Sequence, residues 1–238
     1  MKPTGSTRQA VSIPASWLTR RLSLIDKAFN GRYVFFVCGL AIVLSACSHP
    51  SAPAKPTTAA SRVDAKSLII SVADVIRIAN FADLTPQTMA DLRQPSAGNM
   101  NAPGPCRAVG NSVFTFAGGW TQFRGVSYSG TTDDLEPGGM APIDQVSQAV
   151  AVYPNDGAAR VALDQLATSL TQCAALHDSA YDFALERPDP ATLRLSSVGW
   201  SHQYHVKSSV LMSIGVLGLE PADEIAGAVL QAISDRID

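Results

Sequence analysis

The feature that most limits how this chain can fold is a cysteine that follows a short apolar stretch near the N-terminus. Residues 33–46 (YVFFVCGLAIVLSA) are uncharged and directly follow Arg32. The stretch suits the hydrophobic region of a signal peptide and falls short of the ~20 residues that a membrane-spanning helix needs. The motif LSAC at residues 44–47 has the order of a bacterial lipobox: a branched apolar residue, two small residues and a cysteine. The sequence therefore predicts a lipoprotein signal peptide over residues 1–46 and lipidation of Cys47.

The distribution of charge also indicates export. Residues 1–46 carry six basic residues and one acidic residue, whereas the remaining 192 residues carry 12 basic and 19 acidic ones. A basic leader before an acidic body is typical of an exported protein, and a net charge of -2 does not indicate a nucleic-acid partner. We expect a protein anchored in the cell membrane through its lipid and facing the extracytoplasmic side. The 32 residues before the apolar stretch are long for a leader, and either a later start codon or a genuinely long leader explains them.

The segment after the lipobox predicts a boundary between a linker and a folded domain. Residues 47–65 are rich in Pro, Ala, Ser and Thr, a composition that cannot bury a core and stays extended. Over the whole chain, 46% of residues are hydrophobic and 16% are charged, which is enough apolar material for a core elsewhere. We expect residues 47–65 to be a flexible tether and residues 66–238 to form one domain.

Four cysteines are present, and their positions assign them different roles. Cys38 leaves with the signal peptide and Cys47 takes the lipid, so Cys106 and Cys173 remain in the mature domain. An exported domain with two cysteines favours a disulfide between them, which would stabilise the fold by roughly 4 kcal/mol in the chain-entropy model. The alternative is two separate buried thiols.

Three segments have the apolar spacing of helices. A helix is predicted from residue 72 to about Asn80, after Ser71 as its N-cap. The turn at residues 154–157 precedes a second helix that ends near Cys173, and Pro221 opens a third. A short helix is expected over residues 107–117.

The remaining pattern predicts an antiparallel sheet. Strands are expected at 122–129, 145–153, 181–185, 191–198, 200–207 and 209–216, and loops at 94–105 and 130–139. The acidic residues of the second loop do not have the spacing of a calcium-binding loop, so no metal site is expected. Helices separated by runs of strands indicate an α+β domain, a mainly antiparallel sheet with helices packed on it.

The mature chain resembles the extracellular sensor domain of mycobacterial PknH-type receptor kinases, a domain shared with actinobacterial envelope lipoproteins. The resemblance covers roughly residues 68–238 and rests on the order of several short segments. These are Pro105-Cys106, QAVAVYPNDGAA at 148–159, Cys173, Gly199-Trp200-Ser201 and the helix after Gly218. It implies a domain with a ligand-binding cleft, a Cys106–Cys173 disulfide and no catalytic residues.

Two departures from this family concern the C-terminal half. The family's second cysteine pair is replaced by His202 and Leu217, and a tryptophan before the helix cysteine is replaced by residues 169–170. A lone exported thiol is a liability, so we interpret the joint absence as the loss of one disulfide as a unit. The resemblance therefore implies a C-terminal sheet held by packing alone.

Trp200, His202 and Tyr204 are the candidate residues for a ligand cleft. Alternate residues of a strand share a face, so these three side chains form one aromatic patch, whose plainer interpretation is sheet packing. No motif for nucleophilic, metal or phosphate chemistry is present, so neither an enzyme nor a cofactor is expected. Two hypotheses remain: a sensor-like module that binds an envelope ligand or a partner protein, and a carrier of lipids or other hydrophobic molecules.

Overall fold

The structure, a computed structural model, describes residues 63–88, 91–98, 100–131 and 143–238. The predicted signal peptide, Cys47 and nearly all of the predicted linker lie outside these residues. The acidic part of the predicted loop at 130–139 also lies outside them. The expectations for these segments therefore stay predictions.

The described chain is an α+β domain, as predicted. In chain order its helices and strands are α1 (Ala65–Leu68), α2 (Val72–Ala79), β1 (Thr85–Pro86), α3 (Ser112–Phe116), β2 (Gln122–Thr131), β3 (Ile143–Val152), α4 (Asp156–Ala174), β4 (Ala184–Asp189), β5 (Thr192–Ser197), β6 (Trp200–Lys207), β7 (Val210–Leu217) and α5 (Ala222–Ser234). Short 3₁₀ helices occur at Gly104–Ala108 and Ser179–Tyr181. The strands form one sheet in the order β1-β2-β3-β7-β6-β5-β4, with antiparallel pairing throughout.

One face of the sheet, here called the α5 face, is covered by α1, α2 and α5. Its strand residues are mostly β-branched or long aliphatic side chains, including Val146, Val150, Met212, Ile214 and Val216. They pack in one buried cluster with Ile225, Val229 and Ile233, which recur every four residues along α5. The periodicity of the last predicted helix therefore corresponds to its buried side.

The other face, here called the α4 face, carries a second apolar cluster under α4. Leu163, Leu166 and Leu170 of α4 pack there against sheet residues such as Leu195 and Leu211. Cys173, on the same stripe of α4, forms a disulfide with Cys106 of the first 3₁₀ helix. The predicted pairing of the two cysteines is thus confirmed, and it fixes the 104–108 segment to the end of α4.

The N-terminal segment is fixed to the α5 face by a buried amide. The side chain of Gln148 accepts a hydrogen bond from the backbone N–H of Ile70 (3.0 Å) and donates one to its carbonyl (2.8 Å). The Tyr128 hydroxyl donates to the same carbonyl (2.9 Å). Ile70, which lies in a segment without regular structure, thereby has both of its backbone polar groups satisfied.

Helix capping follows the sequence closely. Ser71 accepts a hydrogen bond from the Asp74 amide and Asn155 accepts one from the Ala158 amide, so both helices begin where the turn residues predict. Asn80 ends α2 in the left-handed conformation.

Other boundaries differ from the predictions. The single helix expected at 107–117 is instead a 3₁₀ helix and the separate α3, because Gly110 interrupts it with a φ of 62°. The strand expected at 181–185 begins at Ala184 and runs to Asp189, after a 3₁₀ turn. Helix α1 and strand β1 were not predicted, since two to four residues carry no periodic pattern.

The two edges of the sheet are irregular. At one edge β1 is only two residues long and ends with Pro86. At the other edge β4 carries Arg187 and Pro188, and its pairing with β5 shifts register between Glu186 and Asp189.

Candidate functional site

Part of the α4 face is open where the strands carry small residues, and no residue of α4 lines this part. Gly125 of β2 pairs with Ala149 of β3, which pairs with Ser213 of β7. One step along the same face, Ser127 pairs with Ser147, and Ser147 pairs with Gly215. Side chains this short leave space above the sheet.

A cavity of about 190 Å³ occupies this space. Its floor includes Gly125, Ser127, Ser147, Ala149 and Ser213. Its walls come from the segment beside the edge of β2 and from the start of α3, and include Leu92, Ser96, Gly110, Ser112 and Thr115. Leu92 is held there by two backbone hydrogen bonds to Gly125, of 2.8 and 2.9 Å. We name this space the α4-face cavity.

Two larger hollows lie on the surface of the described chain. One, of about 580 Å³, is beside Gly130 and Ile143, the strand ends that flank residues 132–142. The other, of about 470 Å³, lies between the end of α2 and the start of α5, where Glu220 and Glu224 border it. The α4-face cavity differs from both because no charged side chain among the described residues lines it, whereas Asp83 borders the first hollow and two glutamates border the second. Six serine or threonine side chains line it together with apolar ones, a combination typical of a ligand site.

His202 lies against the floor of the α4-face cavity. Its Nε2 shares a hydrogen bond of 2.8 Å with the hydroxyl of Ser213, which lines the cavity. Its ring stacks on Tyr204, with ring centres 4.5 Å apart and planes 11° apart. Burial lowers the pKa of His202 to about 4, so the imidazole is neutral near pH 7.

Gly215 lets His202 and Ser147 approach the same point of the floor. A Cβ at position 215 would lie 2.7 Å from the Ser147 Oγ and 3.1 Å from the His202 Nδ1. Any other residue at position 215 would therefore displace one of these two polar side chains.

Tyr204 is fully buried behind a wall of the cavity. Its hydroxyl lies beside Thr115 and the backbone of Gly110, and it has no hydrogen-bond partner among the described residues. Burial raises the pKa of this phenol, so the hydroxyl keeps its proton.

The three predicted cleft residues share the α4 face but have different surroundings. Trp200 is half-buried and packs edge-on against Phe183, with ring centres 6.3 Å apart. His202 contacts the cavity through Ser213, whereas Tyr204 lies beneath the 110–115 segment. The structure thus brings His202 and Tyr204 together and places Trp200 further along the strand. Their contact with a ligand stays a prediction.

Sequence reasoning missed the residues that line the cavity. Ser127, Ser147, Ala149 and Ser213 lie on three different strands, and only the pairing register brings them together. The available signal was the recurrence of small residues at alternate positions, as in Ser147 and Ala149 or in Ser213 and Gly215.

The chemistry of the cavity is that of neutral hydrogen bonding. Ser213 and His202 resemble a nucleophile and a base, but Ser213 is only 7% exposed and the low pKa of His202 makes it a weak base.

Within the described ranges, no cluster of three His, Cys, Asp or Glu side chains could hold a metal ion. No helix in the same ranges is long and apolar enough to cross a membrane.

The positions of the missing cysteine pair are close together in the fold. His202 pairs with Gly215 and Trp200 pairs with Leu217, so His202 and Leu217 are diagonal neighbours on the α4 face of adjacent strands. Diagonal neighbours in a sheet are roughly 7–8 Å apart, so the second disulfide that the resemblance implies would need a small shift of these strands. Here position 202 instead carries an imidazole, which contacts Ser213.

Comparison with known proteins agrees with the architecture. The crystal structure of the extracellular domain of PknH from Mycobacterium tuberculosis matches with a TM-score of 0.51 and 19% sequence identity, over 72% of this chain and 93% of that chain. No curated protein matches the sequence. The sequence matches the PknH-like extracellular domain family over residues 60–236. With most of its length matched and the same fold, the chain belongs to the PknH-like extracellular domain family.

Proposed function

We propose that this protein is a lipid-anchored extracytoplasmic lipoprotein whose sensor-like domain binds an envelope ligand, or a group of a partner protein, in the α4-face cavity. The observation that carries the proposal is the cavity itself, a space lined by small hydroxyl side chains on a sheet that is otherwise closely packed. Membership of an extracellular domain family supports the location. No catalytic step is part of the proposal.

The alternative, a carrier of hydrophobic molecules, has less support. A carrier needs an apolar tunnel between the sheet and its helices. In the described chain, apolar side chains of the two buried clusters occupy the spaces under α4 and α5. The α4-face cavity has a hydroxyl-rich lining that suits a ligand with polar groups.

A cavity-filling variant tests ligand binding. The full chain is expressed in its native type of envelope, purified in detergent and analysed by native mass spectrometry. We expect a bound adduct that Ser127→Leu removes, because a leucine on the floor occupies the ligand's space. Ser196→Leu is the matched control, since Ser196 is a half-buried strand serine away from the cavity. An adduct that survives Ser127→Leu, or the absence of any adduct, would contradict binding in this cavity.

A second experiment tests the anchor. Cells that express the full chain are fed labelled palmitate, and incorporation into the protein is measured. We expect Cys47→Ala to abolish the label and Cys38→Ala to retain it, because only Cys47 follows the small residues of the lipobox. Label that persists in Cys47→Ala would exclude lipidation at this residue.

A further inference from the structure

We infer that the ligand of the α4-face cavity is a neutral, hydroxyl-rich small molecule of about the size of one sugar ring. This inference rests on the proposed function and gives the chemical class of the ligand. It follows from the hydrogen-bonding state of the lining, its lack of charge, its aromatic side and its volume.

The hydroxyl groups of the lining present lone pairs to the cavity. A backbone carbonyl can only accept a hydrogen bond, so a hydroxyl bound to one must donate its single proton. Ser112 donates to the Ser96 carbonyl (3.0 Å), Thr115 to the Asn111 carbonyl (3.1 Å) and Ser147 to the Gly215 carbonyl (3.3 Å). The Ser147 oxygen is therefore an acceptor for a ligand donor, and so is the second lone pair of the Ser112 oxygen, which already accepts from the Ser96 N–H (2.8 Å). Thr115 is only 2% exposed and contributes less.

The lining excludes ligands that carry a full charge. None of the residues that line the cavity is a Lys, Arg, Asp or Glu. An anion would find no cationic partner and a cation would find no carboxylate, so either would be desolvated without a countercharge. Alcohol groups of a neutral ligand can donate to the serine and threonine oxygens and carry no such penalty.

His202 does not change this preference at physiological pH. Its imidazole contacts the floor through Ser213, and burial keeps its pKa near 4. The ring is therefore neutral over the physiological range, and the cavity gains no positive charge from it.

One side of the cavity is apolar. Phe123 and Leu92 line it together with Ala149. The ring of Phe123 is fixed by edge contacts with Phe116 (centres 5.1 Å apart) and by Trp120 (6.0 Å apart). A sugar ring has an apolar face of C–H groups and a rim of hydroxyl groups, and this cavity offers a surface for each.

The volume limits the ligand to a small molecule. The cavity measures about 190 Å³, below the roughly 300–1,000 Å³ of sites that enclose drug-sized ligands. A single ring, free or at the end of a longer chain, is the unit that such a space holds.

Three sugars of the same ring size and of different charge test the chemical class. Glucose, glucuronate and glucosamine are titrated into the full chain in a detergent without sugar groups, and binding is followed by saturation-transfer NMR. We expect glucose to bind with a Kd on the order of 1 mM and both charged sugars to bind at least about tenfold more weakly. Ser127→Leu should weaken glucose binding at least about tenfold, and Ser196→Leu should leave it unchanged. Ala149→Leu, which fills the same floor, replaces Ser127→Leu if the latter does not fold.

The outcomes separate this inference from the proposed function. Glucuronate or glucosamine binding as tightly as glucose in a Ser127-dependent way would overturn the neutral class and retain the cavity as a binding site. No binding of any sugar, with a native adduct that still depends on Ser127, would overturn the class alone. No sugar binding and no such adduct would overturn both.

Discussion

The two faces of the sheet differ in the size of the side chains that the same strands present to them. On the α5 face, alternate positions of β3 and β7 carry large aliphatic side chains that pack against a regular stripe of α5. On the α4 face, the same two strands carry small residues, namely Ser147, Ala149, Ser213 and Gly215. Helix α4 covers only part of this face. The α5 face therefore contributes mainly packing, whereas the α4 face leaves a recess.

The faces also differ in what holds their covering elements in place. Helix α5 is held by buried apolar contacts and by Asp223, which accepts hydrogen bonds from Gln203 (2.8 Å) and Ser201 (3.1 Å). The segment over the α4 face contains only short helices, and a disulfide ties it to α4. A covalent link thus supplements the packing of the segment that has the least regular secondary structure.

Removal of the disulfide should have the largest effect on this difference. In Cys106→Ala/Cys173→Ala we expect the free energy of unfolding to fall by about 4 kcal/mol, because the bond closes a loop of 67 residues in the unfolded chain. Urea denaturation measures the change. Reductant should cause a similar loss in the parent chain and none in the double variant. A loss below about 1 kcal/mol would mean that the α4 side is held without the covalent link.

A core truncation compares packing on the α5 face with the cavity floor. Ile233→Ala should lower the free energy of unfolding by about 3 kcal/mol, since Ile233 is fully buried among aliphatic side chains. Ser127→Ala should change it by less than about 0.5 kcal/mol, because Ser127 lies on an open floor. Thermal or urea unfolding of both variants gives the comparison. Equal losses of unfolding free energy in the two variants would show that side chains on the cavity floor are packed as tightly as those on the α5 face.

Gln148→Leu tests how the N-terminal segment is attached to the α5 face. The substitution removes both hydrogen bonds to Ile70 and leaves its backbone N–H buried without a partner. We expect a loss of about 2 kcal/mol in unfolding free energy and faster proteolysis between residues 63 and 71. Gln145→Leu, on the opposite face, is the control and should leave proteolysis of this segment unchanged. Unaltered proteolysis in Gln148→Leu would mean that Gln148 does not hold the segment.

The smallest expected effect is a dependence of stability on pH that arises on the α4 face. Burial lowers the pKa of His202 from 6.5 to about 4, so the unfolded chain binds the proton more readily between these values. His202 therefore contributes its stability above pH 6.5 and loses it as the pH falls, by about 1 kcal/mol between pH 6.5 and 5.5. His202→Gln should remove this dependence. His205→Gln, where burial also lowers the pKa of a histidine, should retain most of it.

The helices and central strands could be predicted because their determinants are local. Ser71, Asn155 and Pro221 mark helix starts through backbone chemistry, and the spacing of Leu163, Leu166 and Leu170 indicates a buried stripe. The predicted β6 boundaries agree with the structure, because turns on both sides confine the strand. The cysteine pairing was one of two alternatives at the sequence level, a disulfide or two buried thiols, and the structure confirms the disulfide.

The cavity could not be predicted because its determinants are not local. Ser127 and Ser213 are far apart in sequence, and only the order β2-β3-β7 places them on one floor. Tyr204 shares a face with His202, as the alternation indicates, but its burial depends on how the 104–117 segment folds back over the sheet. That path follows from the disulfide and from Gly110, whose combined effect a linear pattern does not contain.

The irregular edges of the sheet affect how the protein behaves among its own copies. Strands at open edges recruit further strands, and this is a common route to aggregation. Here Pro86 lacks the N–H that a new partner would need, and the opposite edge combines a proline, charged side chains and a break in register. If the protein is lipid-anchored as we propose, it meets its own copies often on the membrane surface, and these edges then disfavour strand pairing between them.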